Sequence, residues 1–559
     1  MKQKTNLKNK KIYKILMIVI IILLLAIVVY NINNYVILGK NKTTNLVINN
    51  KNVTSNLKKD IKIDGDNIYL SKQDLSNFFD KYIYEDTKNN NIITTYNNKI
   101  AAISMDSNKI NINGSDKTTY AHAQKENDTI YVPITELEDV YGIEIKYIEN
   151  SKVLTIDSTS KEQKKAIITK NTAVKSSTKL IAKTVDRVKK GSYVIVVSEN
   201  KGYTKIRTEN GKLGYVKSSK IANTVTVMEE MQDAKQINGK VNLVWDYYSE
   251  YASAPDRNGV TMDGVNVVSP AFFYLNSNGE LEVNIGKSGQ AYIDWAHSNG
   301  YKVWPMVQNA GNGMMNVTSK LLNDYDNRQK FINEIVDNCV KYKLDGVNMD
   351  FENMKLDDKD MYSRLIIELT PRLKDMGLVT SVDVTAPDGS ENWSLCFDRN
   401  VIGNVADYIV FMAYDEYGTS SDKAGTTAGY DWVNLSLNKF LTTEEIESDK
   451  IILAIPLYTR LWTVDSSGKL AKQPTVVTLK NMDKNIPGGV EKQWDDTLKQ
   501  YYIEYQDGQY TKKMWIEDEK SLKAKLSLIK NNNLAGVASW EKGMENDNFW
   551  TFLKENLDF

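Results

Sequence analysis

Residues 344–352 read Leu-Asp-Gly-Val-Asn-Met-Asp-Phe-Glu. In an extended chain successive side chains alternate sides, so Asn348, Asp350 and Glu352 share one face and Val347, Met349 and Phe351 the other. The apolar row suits packing against helices. Burying the polar row is costly unless its groups hydrogen-bond one another or meet a ligand. Two carboxyls at this spacing also repel, which raises one until it holds a proton near neutral pH. That is the equipment of a general acid. A surface strand with its acids in water is the plainer alternative. Against it, the acids close a strand that follows a long helical stretch, Asp324 to Tyr342. In barrels of alternating strands and helices, reactive groups sit at the carboxyl ends of strands.

Other chemistries lack raw material. His122 and His297 are the only histidines among 559 residues, which leaves little for a histidine-rich metal site or a Ser-His-Asp triad. His297 lies in the helical stretch Tyr292–His297 and reads as structural. Cys339 and Cys396 read as buried free thiols. No metal and no cofactor is called for.

The elements that must position the acids follow from periodicity. Residues 238–559 alternate strand and helix. Strands are predicted at Val241–Trp245, Val265–Ser269, Lys302–Val307, Gly346–Glu352, Val379–Thr385, Tyr408–Met412, Ile451–Ile455 and Gly536–Trp540. Helices are predicted at Asp324–Tyr342 and Asp357–Met376, among others. Eight strands fit one (β/α)8 barrel, with an insertion at Ser466–Lys513. In strand order, Glu352 ends the fourth, Tyr414 and Asp415 lie past the sixth, Tyr458 and Arg460 follow the seventh, and Trp540 closes the eighth. Acids and aromatic rings converging on one mouth suggest a carbohydrate site.

The chain is multidomain. Charges balance at 71 basic and 71 acidic residues, but six lysines within residues 1–14 leave 65 basic against 71 acidic beyond them. Nothing in that balance points to nucleic acid. Ile15–Tyr30 is uncharged and apolar, and extended through residue 38 it reads as a transmembrane signal anchor. Val28, Val29 and Tyr30 carry no small-residue cleavage pattern, and the lysines place the amino end in the cytoplasm and the remainder outside, at the cell wall. Residues 45–157 form a predicted small α+β domain with helices at Lys72–Phe79 and Ile134–Tyr141. Its segments Asp66–Leu70 and Tyr131–Leu137 resemble the domain named after the amino end of copper amine oxidases, a name that implies no copper. Residues 166–222 hold short strands around Gly191–Val197, Gly202–Ile206 and Gly214–Val216. They resemble a bacterial Src-homology-3-like barrel, a module used to hold peptidoglycan. Tyr203 and Tyr215 are either exposed stacking rings or core.

The carboxyl-terminal domain resembles glycoside hydrolase family 18. Its signature Asp-x-x-Asp-x-Asp-x-Glu maps onto Asp345, Asn348, Asp350 and Glu352, with Asn at the second acidic place. Met412–Asp415, Ile455–Arg460 and Leu534–Glu541 match the sixth-, seventh- and eighth-strand motifs. The resemblance implies a retaining, substrate-assisted glycosidase acting on an N-acetylated polysaccharide such as peptidoglycan, spore cortex or chitin. It implies Glu352 as acid and base, Asp350 as stabiliser of the cationic intermediate, and Tyr414 as partner of the acetamide. Asp345, Asn348, Asp415, Tyr458, Arg460 and Trp540 are implied to bind substrate. Asn348 is expected to change how Asp350 titrates. The membrane anchor and two small modules favour a wall polymer. Chitin and N-glycans fit the same chemistry, and a non-catalytic glycan-binding protein is the reading from another class.

Overall fold

The computed structural model describes residues 17–27, 43–179, 181–227 and 237–557. The chain divides into two compact units near residue 234.

The carboxyl-terminal unit is a ring of eight parallel strands: β1 (Val241–Asp246), β2 (Val267–Pro270), β3 (Met306–Gln308), β4 (Gly346–Asp350), β5 (Val379–Val384), β6 (Tyr408–Met412), β7 (Ile451–Pro456) and β8 (Gly536–Trp540). Lys302–Val303 continues β3 downward and pairs with β2. Strand β8 pairs with both β7 and β1 and closes the ring. Both faces are covered, so the strands read as nearly continuous apolar runs. Leu243, Trp245, Met306, Val410, Ala454 and Ala538 fill the interior. Val347, Met349, Phe351, Val382, Phe411 and Leu453 face the helices. Ring closure needs glycine at two strand starts. A Cβ on Gly346 would lie 2.5 Å from the Val379 carbonyl oxygen, and one on Gly536 would lie 1.9 Å from that of Val241.

Helix α1 (Tyr325–Tyr342) starts at Asp324, whose side chain accepts from the Asn327 N–H, and stops at Lys343, which turns left-handed at φ 55°. Arg328 of α1 meets Glu368 of α2 (Lys359–Lys374) at 2.9 and 3.0 Å, and Arg364 lies 3.1 Å from the same carboxylate. The insertion begins at Tyr458, earlier than the predicted Ser466. Tyr458–Val464 pairs with Leu470–Thr478 and Tyr510–Ile516 in a five-stranded antiparallel sheet instead of continuing toward a helix.

In the amino-terminal unit, Asn45–Ile48 pairs in parallel with Val153–Ser158 and ties the two ends of an α+β domain together. Helix Lys72–Phe78 is capped by Ser71, which accepts from the Asp74 N–H. The predicted helix Ile134–Tyr141 is a 3-10 turn, Ile134–Leu137, followed by one α-turn, Glu138–Tyr141. Residues 163–227 form one seven-stranded antiparallel sheet around Ala166, Ile168, Val174, Val194, Ile206 and Val216. Thr184–Val188 and Ile221–Val227 are the first and last strands in the order of that sheet. Tyr203 and Tyr215 are half-buried.

The predicted anchor at 15–38 falls largely on residues that are not described. Only residues 17–27 of it are described, as an exposed helix, and the remainder lies outside the described residues. Among the described residues, no helix is long and apolar enough to cross a membrane.

Candidate active site

The polar row of β4 points into the ring and the apolar row into the helical layer. Strand β4 ends at Asp350, two residues before the predicted Glu352. Glu352 is nevertheless held in place. The Asn309 side chain accepts from the Glu352 N–H at 2.8 Å and donates to its carbonyl at 2.9 Å. One amide thus supplies the bonds that another strand residue would make. Phe351 behind it is buried against Tyr362 of α2, with ring centroids 5.8 Å apart.

Glu352 and Asp350 are both half-buried. Burial, then Asp350, then Asp415 hold the Glu352 carboxyl well above the ordinary glutamate range. Burial likewise pushes Asp350 up to about 6, opposed by the Gln308 amide, which donates to its Oδ2 at 3.2 Å. Two acids raised by desolvation and mutual repulsion titrate as a pair, and one keeps its proton at neutral pH.

Aromatic rings surround the acids. Trp540, at the end of β8, lies with its ring centroid 5.7 Å from Trp245, 6.0 Å from Tyr247 and 6.5 Å from Tyr414. Burial raises the Tyr414 phenol well above its usual value, so it stays a neutral donor. Asp415 has left-handed backbone, φ 58°, a strained conformation for a side chain of this kind. The Tyr458 hydroxyl and the Arg460 Nη2 both donate to Asp415 Oδ1 at 2.6 Å. Both side chains are buried, and these polar atoms are engaged with Asp415.

Two expected binding residues are elsewhere. Asp345 precedes β4 at the opposite end of the ring, where it accepts from Lys302 Nζ at 2.8 Å and lies 2.9 Å from His297 Nε2. A strand rises about 3.3 Å per residue, which puts Asp345 roughly 16 Å below Asp350. It therefore ties β4 to its neighbours and takes no part in the mouth, and His297 is structural with it. Asn348 is fully buried inside the ring, where its amide bonds Trp245, Ser269, Ser381 and Asp383. It belongs to the floor beneath the mouth and not to its surface. Cys339 and Cys396 are free, buried thiols, raised by burial to about 12 and about 11.

Several residues of the site escape the sequence reading: Gln308, Asn309, Asp383, Trp245, Tyr247 and Glu541. Burial, then Asp246, push Glu541 up to about 7. Ser381 and Asp383 alternate with Val382 and Val384 as Asn348 and Asp350 do with Val347 and Met349. Applied to β5, the same period of two points to Asp383.

A parallel eight-stranded ring whose carboxyl ends gather raised acids and aromatic rings is a barrel of glycosidase type. Residues 244–545, more than half of the chain, match the model of glycosyl hydrolases family 18, and the chain belongs to that family. Residues 47–156 match the copper amine oxidase N-terminal domain. Among curated relatives, the barrel is 25% identical over 300 residues to an uncharacterized glycosylase of Bacillus subtilis, covering 52% of this chain and 84% of the relative. It is 26% identical over 248 residues to the cortical fragment-lytic enzyme of Bacillus subtilis, covering 43% of this chain and 56% of that enzyme. A chitinase from Chromobacterium violaceum shares the fold at a TM-score of 0.50 and 22% identity, over 57% of this chain and all of that one. The protein is a family 18 glycosidase, similar in sequence to a cortical fragment-lytic enzyme and similar in fold to a chitinase.

Proposed function

We propose that this glycosidase cleaves bonds next to N-acetylglucosamine in peptidoglycan or spore cortex, with retention and with the substrate's own acetamide as nucleophile. The observation that carries the reading is Glu352: half-buried at the carboxyl end of β4, raised by burial and by Asp350, and facing a cup of rings. In the first step Glu352 gives its proton to the glycosidic oxygen and that bond breaks, while the acetamide oxygen closes on the anomeric carbon. Asp350 balances the resulting oxazolinium charge, and Gln308 holds the carboxylate that does so. Tyr414 donates to the acetamide, and Trp540 lies under the sugar face. Glu352, now ionised, takes a proton from water, whose oxygen attacks the anomeric carbon and reopens the ring of the intermediate. Asp415, buttressed by Tyr458 and Arg460, lines the side of the cup.

The choice of a wall polymer draws support from the cortical fragment-lytic relative and from the two modules ahead of the barrel. On this reading residues 166–222 act as an SH3-like wall-holding module. Residues 15–38 anchor the chain with its catalytic unit outside the cell, and removing residues 1–38 releases it from the membrane fraction. The decisive experiment measures reducing-sugar release from purified peptidoglycan and from chitin, for wild type and Glu352→Gln. Release from peptidoglycan that is lost in the variant supports the reading. Release from chitin alone replaces the substrate. Equal sugar binding by both forms with no product from either replaces the enzyme with a glycan-binding protein.

A further inference from the structure

This chain has Asn348 where the signature it resembles carries an acid, and Asn348 is hydrogen-bonded to an acid of the neighbouring strand, Asp383. Asn348 Nδ2 donates to Asp383 Oδ1 at 2.7 Å and to Ser381 Oγ at 3.1 Å. Its Oδ1 accepts from Trp245 Nε1 at 2.7 Å and from Ser269 Oγ at 3.4 Å. Both donors and the acceptor are used, so the amide has one orientation. Turned over, its N–H groups would face the indole N–H. Strands β4 and β5 pair Asn348 with Ser381 and Met349 with Val382, which sets Asp350 and Asp383 side by side one step further along. Neighbouring strands run about 4.8 Å apart, so the two inward carboxyls are neighbours. Asp383 is buried, 1% exposed, beneath the mouth.

We propose that Asp383 is the inner carboxyl of a three-acid column, Asp383–Asp350–Glu352, that it takes over from the next strand the role of the acid absent at 348, and that it positions Asp350 and sets its charge. The inference rests on the proposed hydrolytic reading. Asn348 and Asp383 then form one device. An amide at 348 donates to a carboxylate at 383, whereas acids at both places would face each other with a single proton between them. The titrating or polar groups acting on Asp383 are Asp350 and Asn348 from β4, Glu352 just past it, and Trp245 from β1. Asp383 in turn acts on Tyr362 of α2 and on Tyr414 past β6. Burial and Asp350 raise Asp383 well above the aspartate range, and the Asn348 bond opposes them, as a coupled column requires.

The test is a carboxyl swap in the full chain, read on an N-acetylated chromogenic glycoside. Asp383→Asn lowers kcat about tenfold or more, leaves KM within threefold, and moves the basic limb of the kcat/KM profile to lower pH, because a negative charge beside Asp350 and Glu352 is gone. Asn348→Asp alone lowers activity, since an acid is already present across the bond. The double variant Asn348→Asp/Asp383→Asn restores kcat and the pH limb to near wild type. The proposal is overturned if the Asp383→Asn profile superimposes on wild type, if Asn348→Asp alone gains activity, or if the folded double variant is no better than Asp383→Asn. Should Asp383→Asn not fold, the Asn348→Asp result still decides. Should wild type hydrolyse nothing, the hydrolytic reading fails by itself. The indole ¹⁵N resonance of Trp245, assigned with Trp245→Phe, then reports the column without turnover. Its pH midpoint shifts in Asp383→Asn if the column is coupled and stays in place if it is not.

Discussion

Two groups of buried acids in the barrel unit invite comparison. In the helical layer, Glu368 is met by Arg328 and Arg364, all three buried, and Glu517 by Lys525 at 2.7 and 2.9 Å. Burial pushes Glu517 up, but Lys525 pulls it back and Ser521 adds a bond. In the mouth, Glu352, Asp350 and Asp383 face chiefly one another, and no ion pair among the described residues reaches them. Both groups lie in low dielectric. Where a cation answers the acid, the ion pair holds elements together. Where another acid answers it, a proton is retained instead, ready for transfer.

The contrast is broken most directly by exchanging the consequences. Glu352→Gln is expected to reduce turnover by about 10³-fold. It should leave the melting temperature level or raise it, because an unpaired buried acid has been removed. Glu368→Gln should do the reverse, costing about 3–5 kcal/mol by removing the charge that two buried guanidinium groups face, while the folded fraction keeps its KM. Denaturant unfolding alongside initial rates checks both. A Glu368 variant of full stability but no turnover would erase the distinction. Tyr414→Phe, which removes one donor and no packing, is expected to lower kcat about tenfold, with KM measured alongside.

Smaller effects sharpen the comparison through pH. Asp350 has a folded-state value of about 6, above its ordinary 3.8, so between those values the native state keeps a proton that the unfolded chain has lost. Stability contributed by that proton is present at low pH and declines as pH rises from about 4 to 6. Asp350→Asn should flatten that decline in melting temperature. It should also move the basic limb of residual activity to lower pH, since Glu352 loses the charge that repels its ionised form. An unaltered slope would mean that the two carboxyls do not interact.

Much of this was legible before any coordinates. All eight barrel strands lie where alternation and apolar runs placed them, most within a residue or two at their ends. Burial on both faces leaves a strong compositional trace. The period of two also sorted β4 correctly into a polar inner row and an apolar outer one. Motif membership was a poorer guide than periodicity. Asp345 sits in the signature but beneath the barrel, bonded to Lys302, because a strand is long enough to carry one motif to both ends. The start of the insertion was missed because Tyr458–Val464 looks like any strand, and only its pairing with Leu470–Thr478 says which sheet owns it. The membrane segment rests on hydropathy alone, and most of it lies outside the described residues.

The sequence by itself determined the alternating pattern, the class of chemistry and the acid at the end of the fourth strand, because these depend on residue type and local period. Only the tertiary structure decided that Asn309 holds Glu352, that Arg460 and Tyr458 support Asp415, and that Asp383 stands beside Asp350. Those partners lie up to 45 residues apart. Their meeting is set by strand register and ring closure, which no local window contains.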